Sequence, residues 1–366
     1  MAKSHTFYGG LRRVLGGRET FEEVASRDSE TQATLHSRRQ GRAERSPSAR
    51  AIALCAAAVT AALVLAADAQ ARPLLLSPGT YSGGAYRTST GESVTVYTSN
   101  SYPTDRGQRW ADFLATLVHG SELSSIKVFI APQREVEAVC GRDAYACYSR
   151  AESSLLAPGD DPGDGLSAEA IVMHEYGHHV AANQSNAPWN SLAWGTKRWA
   201  TAMRVCPRTR SGELWPGAWD PVRYDYNPGE GVAESYRLLN ERKFGRVESP
   251  WQVVSDVLYP NEAALAALEQ DVLSPWAGPT TSTQTARLTR ATRTRTYTIP
   301  TELDGALKVT LRPSAGLRAR AEVFAGSARL ARGSAISTNV CGQRSLRIRV
   351  SRLAGSGSFT LMVEKP

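Results

Sequence analysis

"IVMHEYGHHV", residues 171–180, sets two histidines four apart in an apolar run with a glutamate behind the first. On a helix, positions i and i+4 share a face. His174 and His178 can therefore aim at one point from successive turns. Glu175 sits about 100° round from His174, outside a shared tetrahedron but within reach of a water on a bound ion. Two neutral imidazoles to hold Zn²⁺, and a carboxylate to take the water's proton, are the parts that this HExxH spacing supplies. Ser167 reads as the N-cap and Glu169 as a first-turn acid of a helix over 167–183. Gly177 in mid-helix costs about 1 kcal/mol relative to Ala, which suits a site where a neighbour packs closely. His179 points away from the pair and reads as a surface or hydrogen-bonding histidine.

A catalytic zinc needs a third protein ligand. The HExxHxxGxxH extension fails, because position 181 is Ala and 184 is Gln. The downstream acids are Glu213, Asp220, Asp225, Glu230 and Glu234. "NPGEGVAESY", 227–236, stands out, since Glu230 opens a predicted helix (229–243) and Glu234 lies one turn on along the same face. One of the two can bind the ion while the other accepts the outer N–H of a ligand histidine.

With these two blocks, about 30 residues in all, the chain resembles the gluzincin metallopeptidases. It is more closely similar to secreted actinobacterial neutral zinc metallopeptidases. The resemblance implies a zincin-like catalytic domain that hydrolyses peptide or protein substrates. It implies His174, His178 and Glu230 as zinc ligands, Glu175 as general base and acid, and Glu234 as support for a ligand histidine. It also implies a short edge strand before the zinc helix, for which 152–158 is in the right place, where an extended substrate could add as a further strand. The residue that stabilises the oxyanion has no motif behind it. Tyr224, Tyr226, Tyr236 and His179 are the candidates.

Around these blocks the elements are mixed. Residues 92–100 and 125–132 read as strands, 105–120 as a helix capped by Asp105, and 153–158 as a short strand. A helix around 192–205 falls in a Trp-rich segment (189–219), and another runs over 261–273. Near 278–285 helical patterning stops, and alternating runs with Gly, Pro or Ser breaks begin. Residues 280–366 therefore read as a small all-β domain of sandwich or jelly-roll type, and 72–279 as an α+β catalytic domain.

Charge follows the same division. Residues 72–279 hold 18 basic and 24 acidic side chains, and 280–366 hold 15 and 4. The basic β-domain could meet an anionic cell-wall or surface polymer. Specific nucleic-acid binding is not expected, for no such motif occurs and stacking aromatics are few (Tyr297, Phe324, Phe359). The rival to an enzyme is a catalytically silent zincin-fold protein that binds through this domain. A monomer is expected.

Residues 1–50 are polar and Arg-rich, which reads as a disordered basic tail. A 17-residue apolar stretch, 51–67, is followed by Ala69-Gln70-Ala71, the pattern of a signal-peptide cleavage site. Export follows, and the alternative is a membrane anchor. Cys55 lies in that stretch. The four others are even in number, as disulfides require: Cys140–Cys147 closes a short loop, and Cys206–Cys341 follows by elimination. No CxxC pair occurs to suggest a zinc knuckle.

Overall fold

The computed structural model describes residues 80–163, 165–249 and 251–366. The basic tail, the 51–67 stretch and Cys55 lie outside the described residues. Residues 80–366 belong to one compact unit with an α+β part and an all-β part.

The α+β part is built on a five-stranded sheet of order β1-β2-β3-β5-β4. Its strands are β1 (Tyr81–Arg87), β2 (Ser93–Ser99), β3 (Lys127–Ala131), β4 (Cys147–Ser149) and β5 (Ser154–Pro158). β2, β3 and β5 are parallel, and both edges are antiparallel. Helices α1 (Gly107–Thr116) and α2 (Gln133–Cys140) precede and follow β3. The disulfide Cys140–Cys147 ties the last residue of α2 to the first of β4, with Cα atoms 5.7 Å apart.

α3 (Ala168–Ala182) starts where the Ser167 hydroxyl accepts the Ala170 amide, and Glu169 follows in its first turn. It is buried on nearly every side, as a helix is when it sits between two layers. Its other neighbour is α7 (Pro228–Lys243), capped by the Asn227 side chain with Pro228 in its first turn. Between them run α4 (Ser191–Trp194), α5 (Lys197–Ala202) and α6 (Val205–Ser211), and α8 (Glu262–Leu273) follows. Gly177 is where α3 meets α7: a Cβ there would lie 2.8 Å from Ala233 Cα and 2.9 Å from Tyr236 Cβ.

The all-β part has eight strands: β6 (Thr280–Leu288), β7 (Thr294–Pro300), β8 (Gly305–Pro313), β9 (Arg318–Ala325), β10 (Ala328–Gly333), β11 (Ala335–Val340), β12 (Ser345–Ala354) and β13 (Gly357–Lys365). They form two antiparallel sheets, β10-β9-β12-β7 and β11-β8-β13-β6, around a hydrophobic core of their own. This core is fed by alternate residues, such as Leu346, Ile348 and Val350, as half-buried strands require. The Cys206–Cys341 disulfide links the two parts, with Cα atoms 5.4 Å apart. Beside it the Asp304 amide donates to the Thr201 hydroxyl at 3.1 Å.

Two local expectations are corrected. The segment 152–158 is not an edge: β5 lies inside the sheet, and the three-residue β4 covers it. The helix expected around 192–205 is three short ones, interrupted where Gly195 and Arg204 take φ of 81° and 57°. A strand, β1, forms in a Gly/Ser-rich stretch that carries little strand signal. At Gly83 a Cβ would meet the Val96 carbonyl oxygen at 2.3 Å, so glycine permits the close pairing with β2.

Candidate metal centre

α3 and α7 bring His174, His178 and Glu230 into one buried cluster. Glu230 Oε2 stands 3.4 Å from His174 Nε2 and 3.4 Å from His178 Nε2. Ligand atoms about 2.0–2.2 Å from one tetrahedral ion stand roughly 3.3–3.6 Å from one another. Both distances match that spacing. They are long for hydrogen bonds, whose N···O distance centres near 3 Å. The donor set, two imidazoles and a carboxylate, is one that could hold a metal ion.

Glu175 adds an independent sign. It is fully buried, and neither carboxylate oxygen has a hydrogen-bond partner, nor has His178 Nε2. Burying a carboxylate without a partner costs several kcal/mol. Burial, helped by the charge of Glu230 and opposed by His174, pushes the Glu175 carboxyl well above the ordinary range. The surroundings are also rich in acids: Glu175, Glu230, Glu234 and Glu241 are all buried, and Arg237 pairs with the last two. With Glu175 neutral and His174 protonated, Glu230, Glu234 and Glu241 still outnumber the two cations by one, an excess of negative charge that a bound cation would offset. Burial opposes charge on His174, yet the carboxylates of Glu230 and Glu234 facing its two nitrogens prevail and raise it to about 9. A metal ion would displace the proton from its Nε2. His178 is held below its ordinary value by burial.

Glu234, one turn after Glu230, faces the other side of the same ring. Its Oε2 is 3.4 Å from His174 Nδ1. Arg237 grips Glu234 with Nη2 on Oε1 at 2.6 Å and Nε on Oε2 at 3.0 Å. The same guanidinium donates to Glu241 at 2.6 Å and to the Trp251 carbonyl at 3.1 Å. The Trp251 ring in turn packs 5.6 Å from the His174 ring. His174 is thus steered from both sides by groups that meet at Arg237. The second histidine is backed by Tyr148 of β4, whose ring lies 6.5 Å away and nearly parallel at 17°.

Of the oxyanion candidates, Tyr224 alone reaches the cluster: its hydroxyl donates to Glu230 Oε2 at 2.8 Å. Tyr226 packs on Trp215. The Tyr236 hydroxyl donates to the Val118 carbonyl, between α1 and β3. His179 is fully buried rather than on the surface. Its Nε2 donates to the Glu122 carbonyl at 3.0 Å, so its Nδ1 accepts the Tyr148 hydroxyl at 3.1 Å.

Reading the sequence missed Arg237, Glu241, Trp251 and Tyr148. The spacing of Glu234, Arg237 and Glu241, at i, i+3 and i+7, puts all three on one face of α7 and is a signal that could have found the first two. Trp251 and Tyr148 come from a loop and from the edge strand, and nothing local marks them.

No family model matches the chain, and no curated protein matches it. Among solved structures, the pre-peptidase C-terminal domain of a collagenase from Bacillus anthracis is similar at 16% identity and a TM-score of 0.20, covering 22% of this chain and 87% of that one. PliG of Aeromonas hydrophila, a periplasmic inhibitor of g-type lysozyme, is similar at 15% identity and a TM-score of 0.20, covering 24% and 86%. Neither likeness bears on function.

Proposed function

We propose that the chain is a zinc-dependent endopeptidase of zincin-like fold, with His174, His178 and Glu230 as the metal ligands. The observation that carries this reading is the pair of 3.4 Å distances from Glu230 Oε2 to the two histidines, beside a buried Glu175 that has no partner. Zinc, when bound, polarises a scissile carbonyl and acidifies a water. Glu175 then takes the proton of the attacking water and returns it to the leaving amine. Its buried carboxyl, raised by desolvation, suits both tasks. Tyr224, next to Glu230, is the hydroxyl positioned to donate to the oxyanion. An extended peptide would pair with the edge strand β4. Two disulfides fit an oxidising compartment and hence export. Among the described residues no helix is long and apolar enough to cross a membrane.

The test is casein hydrolysis by the purified full chain, with and without a zinc chelator, beside Glu175→Gln. Chelation should stop hydrolysis, and the variant should keep its metal yet lose about 10²-fold or more in rate. Hydrolysis that survives chelation, or that proceeds at the original rate in Glu175→Gln, overturns the assignment.

A further inference from the structure

The surplus arginine of the all-β part is not spread evenly. In the sheet β10-β9-β12-β7, the residues Ala321, Val323, Leu346, Ile348 and Val350 face the sandwich core. Their alternates therefore face outward. These outward positions include Arg320 on β9, Arg347 and Arg349 on β12, and Arg329 and Arg332 on β10, which pair with Phe324 and Glu322. Glu322 is the one acid at the centre of this group among the described residues, and it is buried beneath Arg329 and Arg349 at 3.1 and 2.8 Å. Phe324 is covered in the same way, with the guanidiniums of Arg347 and Arg349 5.1 and 5.0 Å from its ring centre. Five guanidiniums against one carboxylate leave a contiguous face with an excess of four positive charges. On the opposite sheet Lys308 is paired with Glu364 at 2.7 Å. Arg287 and Arg312 remain there, on strands either side of β13.

We infer that this arginine face is a docking surface for a linear polyanion that carries phosphate groups and no bases. The first ground is charge complementarity. Every cation in the group is arginine, whose planar fork grips an oxyanion at two points where lysine offers one. The second is the row pattern. Thr298 pairs with Arg347 and Thr296 with Arg349, so each row sets a hydroxyl about 5 Å from an arginine Cβ. The rows repeat every second residue, about 7 Å along β12. Together they offer the several donors that a phosphate accepts, at intervals that a chain could follow. Nucleic acid fits less well. The ring on this face, Phe324, is already covered by two guanidiniums, and base stacking needs an open aromatic platform. The inference stands apart from the metal centre.

The test is fluorescence anisotropy of end-labelled linear polyphosphate with the full chain. The triple variant Arg320→Gln/Arg332→Gln/Arg347→Gln leaves Arg329 and Arg349 on Glu322. In 50 mM salt it should bind at least about tenfold more weakly than the wild type, and its slope of log affinity against log salt should be shallower by about 2. Arg287→Gln/Lys308→Gln/Arg312→Gln removes as many charges from the opposite sheet and should stay within about threefold of the wild type. Circular dichroism confirms that both variants fold, and the single variant Arg332→Gln, at an exposed site, gives the same comparison if the triple does not. Absence of wild-type binding in 50 mM salt overturns the inference. So do equal losses in the two triple variants, or a tighter grip on single-stranded DNA of matched charge, which would mark a nucleic-acid surface instead.

Discussion

Glu234 and Arg237, one turn apart on α7, are joined by two hydrogen bonds of 2.6 and 3.0 Å while both are almost wholly buried. The pair matters because Glu234 also faces His174 Nδ1. Burial raises the Glu234 carboxyl, but the hydrogen bonds and positive charge of Arg237 and His174 together outweigh it and keep the carboxyl low. A carboxylate so fixed sets the tautomer and angle of the imidazole that offers Nε2 to a metal.

Removing Arg237 should therefore weaken the metal centre without touching a ligand. Arg237→Met removes the cation that Glu234 and Glu241 share in the interior, at about 3–5 kcal/mol of stability. Zinc affinity, measured by competition with a chelating dye, should fall about 10–100-fold. Arg237→Lys keeps the charge but loses the fork, and should recover part of that affinity. A folded Arg237→Met protein with wild-type zinc affinity would show that the guanidinium does not position His174.

Gly177 makes a second prediction. Alanine is the better helix former by about 1 kcal/mol, yet its methyl would press on Ala233 and Tyr236 of α7. Overpacking of this kind costs about 1–3 kcal/mol. Gly177→Ala should lower the midpoint of denaturant unfolding and weaken zinc binding together, since the α3–α7 spacing sets the distance between the histidines and Glu230. A more stable variant would mean that the contact relaxes freely.

Lys197 predicts a pH dependence. Its ammonium is buried, donates to the Ala187 carbonyl at 2.7 Å and lies 4.3 Å from the Trp276 ring centre. Burial pulls it down to about 8, against the opposing pull of Asp304 and Asp271. Those acids are engaged elsewhere, with Arg344 and Arg198 respectively. Between about pH 8 and 10 the unfolded chain holds this proton and the folded chain does not. Stability from this group therefore rises with pH in that window, and the cost of burying the charge is fully present below it. The slope is at most about 1.4 kcal/mol per pH unit. Urea unfolding of the wild type, referenced to Lys197→Met, should show this rise, and parallel profiles for the two proteins would refute it.

How far the sequence reveals this site depends on where each residue comes from. His174, Glu175 and His178 are legible because one helical period places them. Glu230 and Glu234 are legible because the same period recurs after a proline turn. Tyr148 and Trp251 are not, since they reach the histidines through strand order and loop path, which periodicity does not encode. The edge strand was misplaced for a related reason. β4 has three residues, too few for an alternating pattern, and its antiparallel pairing beside β5 is a tertiary fact. In the all-β part, alternation was enough to foresee strands. That five arginines share one face depends on register, which emerges when β9, β10 and β12 are paired.

The most direct measurement of the central claim is the zinc content of the purified full chain after equilibration with zinc and removal of excess. The wild type should hold about one zinc per chain, as one tetrahedral centre requires. His174→Ala and Glu230→Ala should hold almost none, and Glu234→Ala should still bind, about 10–100-fold more weakly. A wild-type protein without metal would contradict the account, and so would variants at His174 and Glu230 that keep it. Retention in Glu230→Ala with loss in Glu234→Ala would move the third ligand to Glu234.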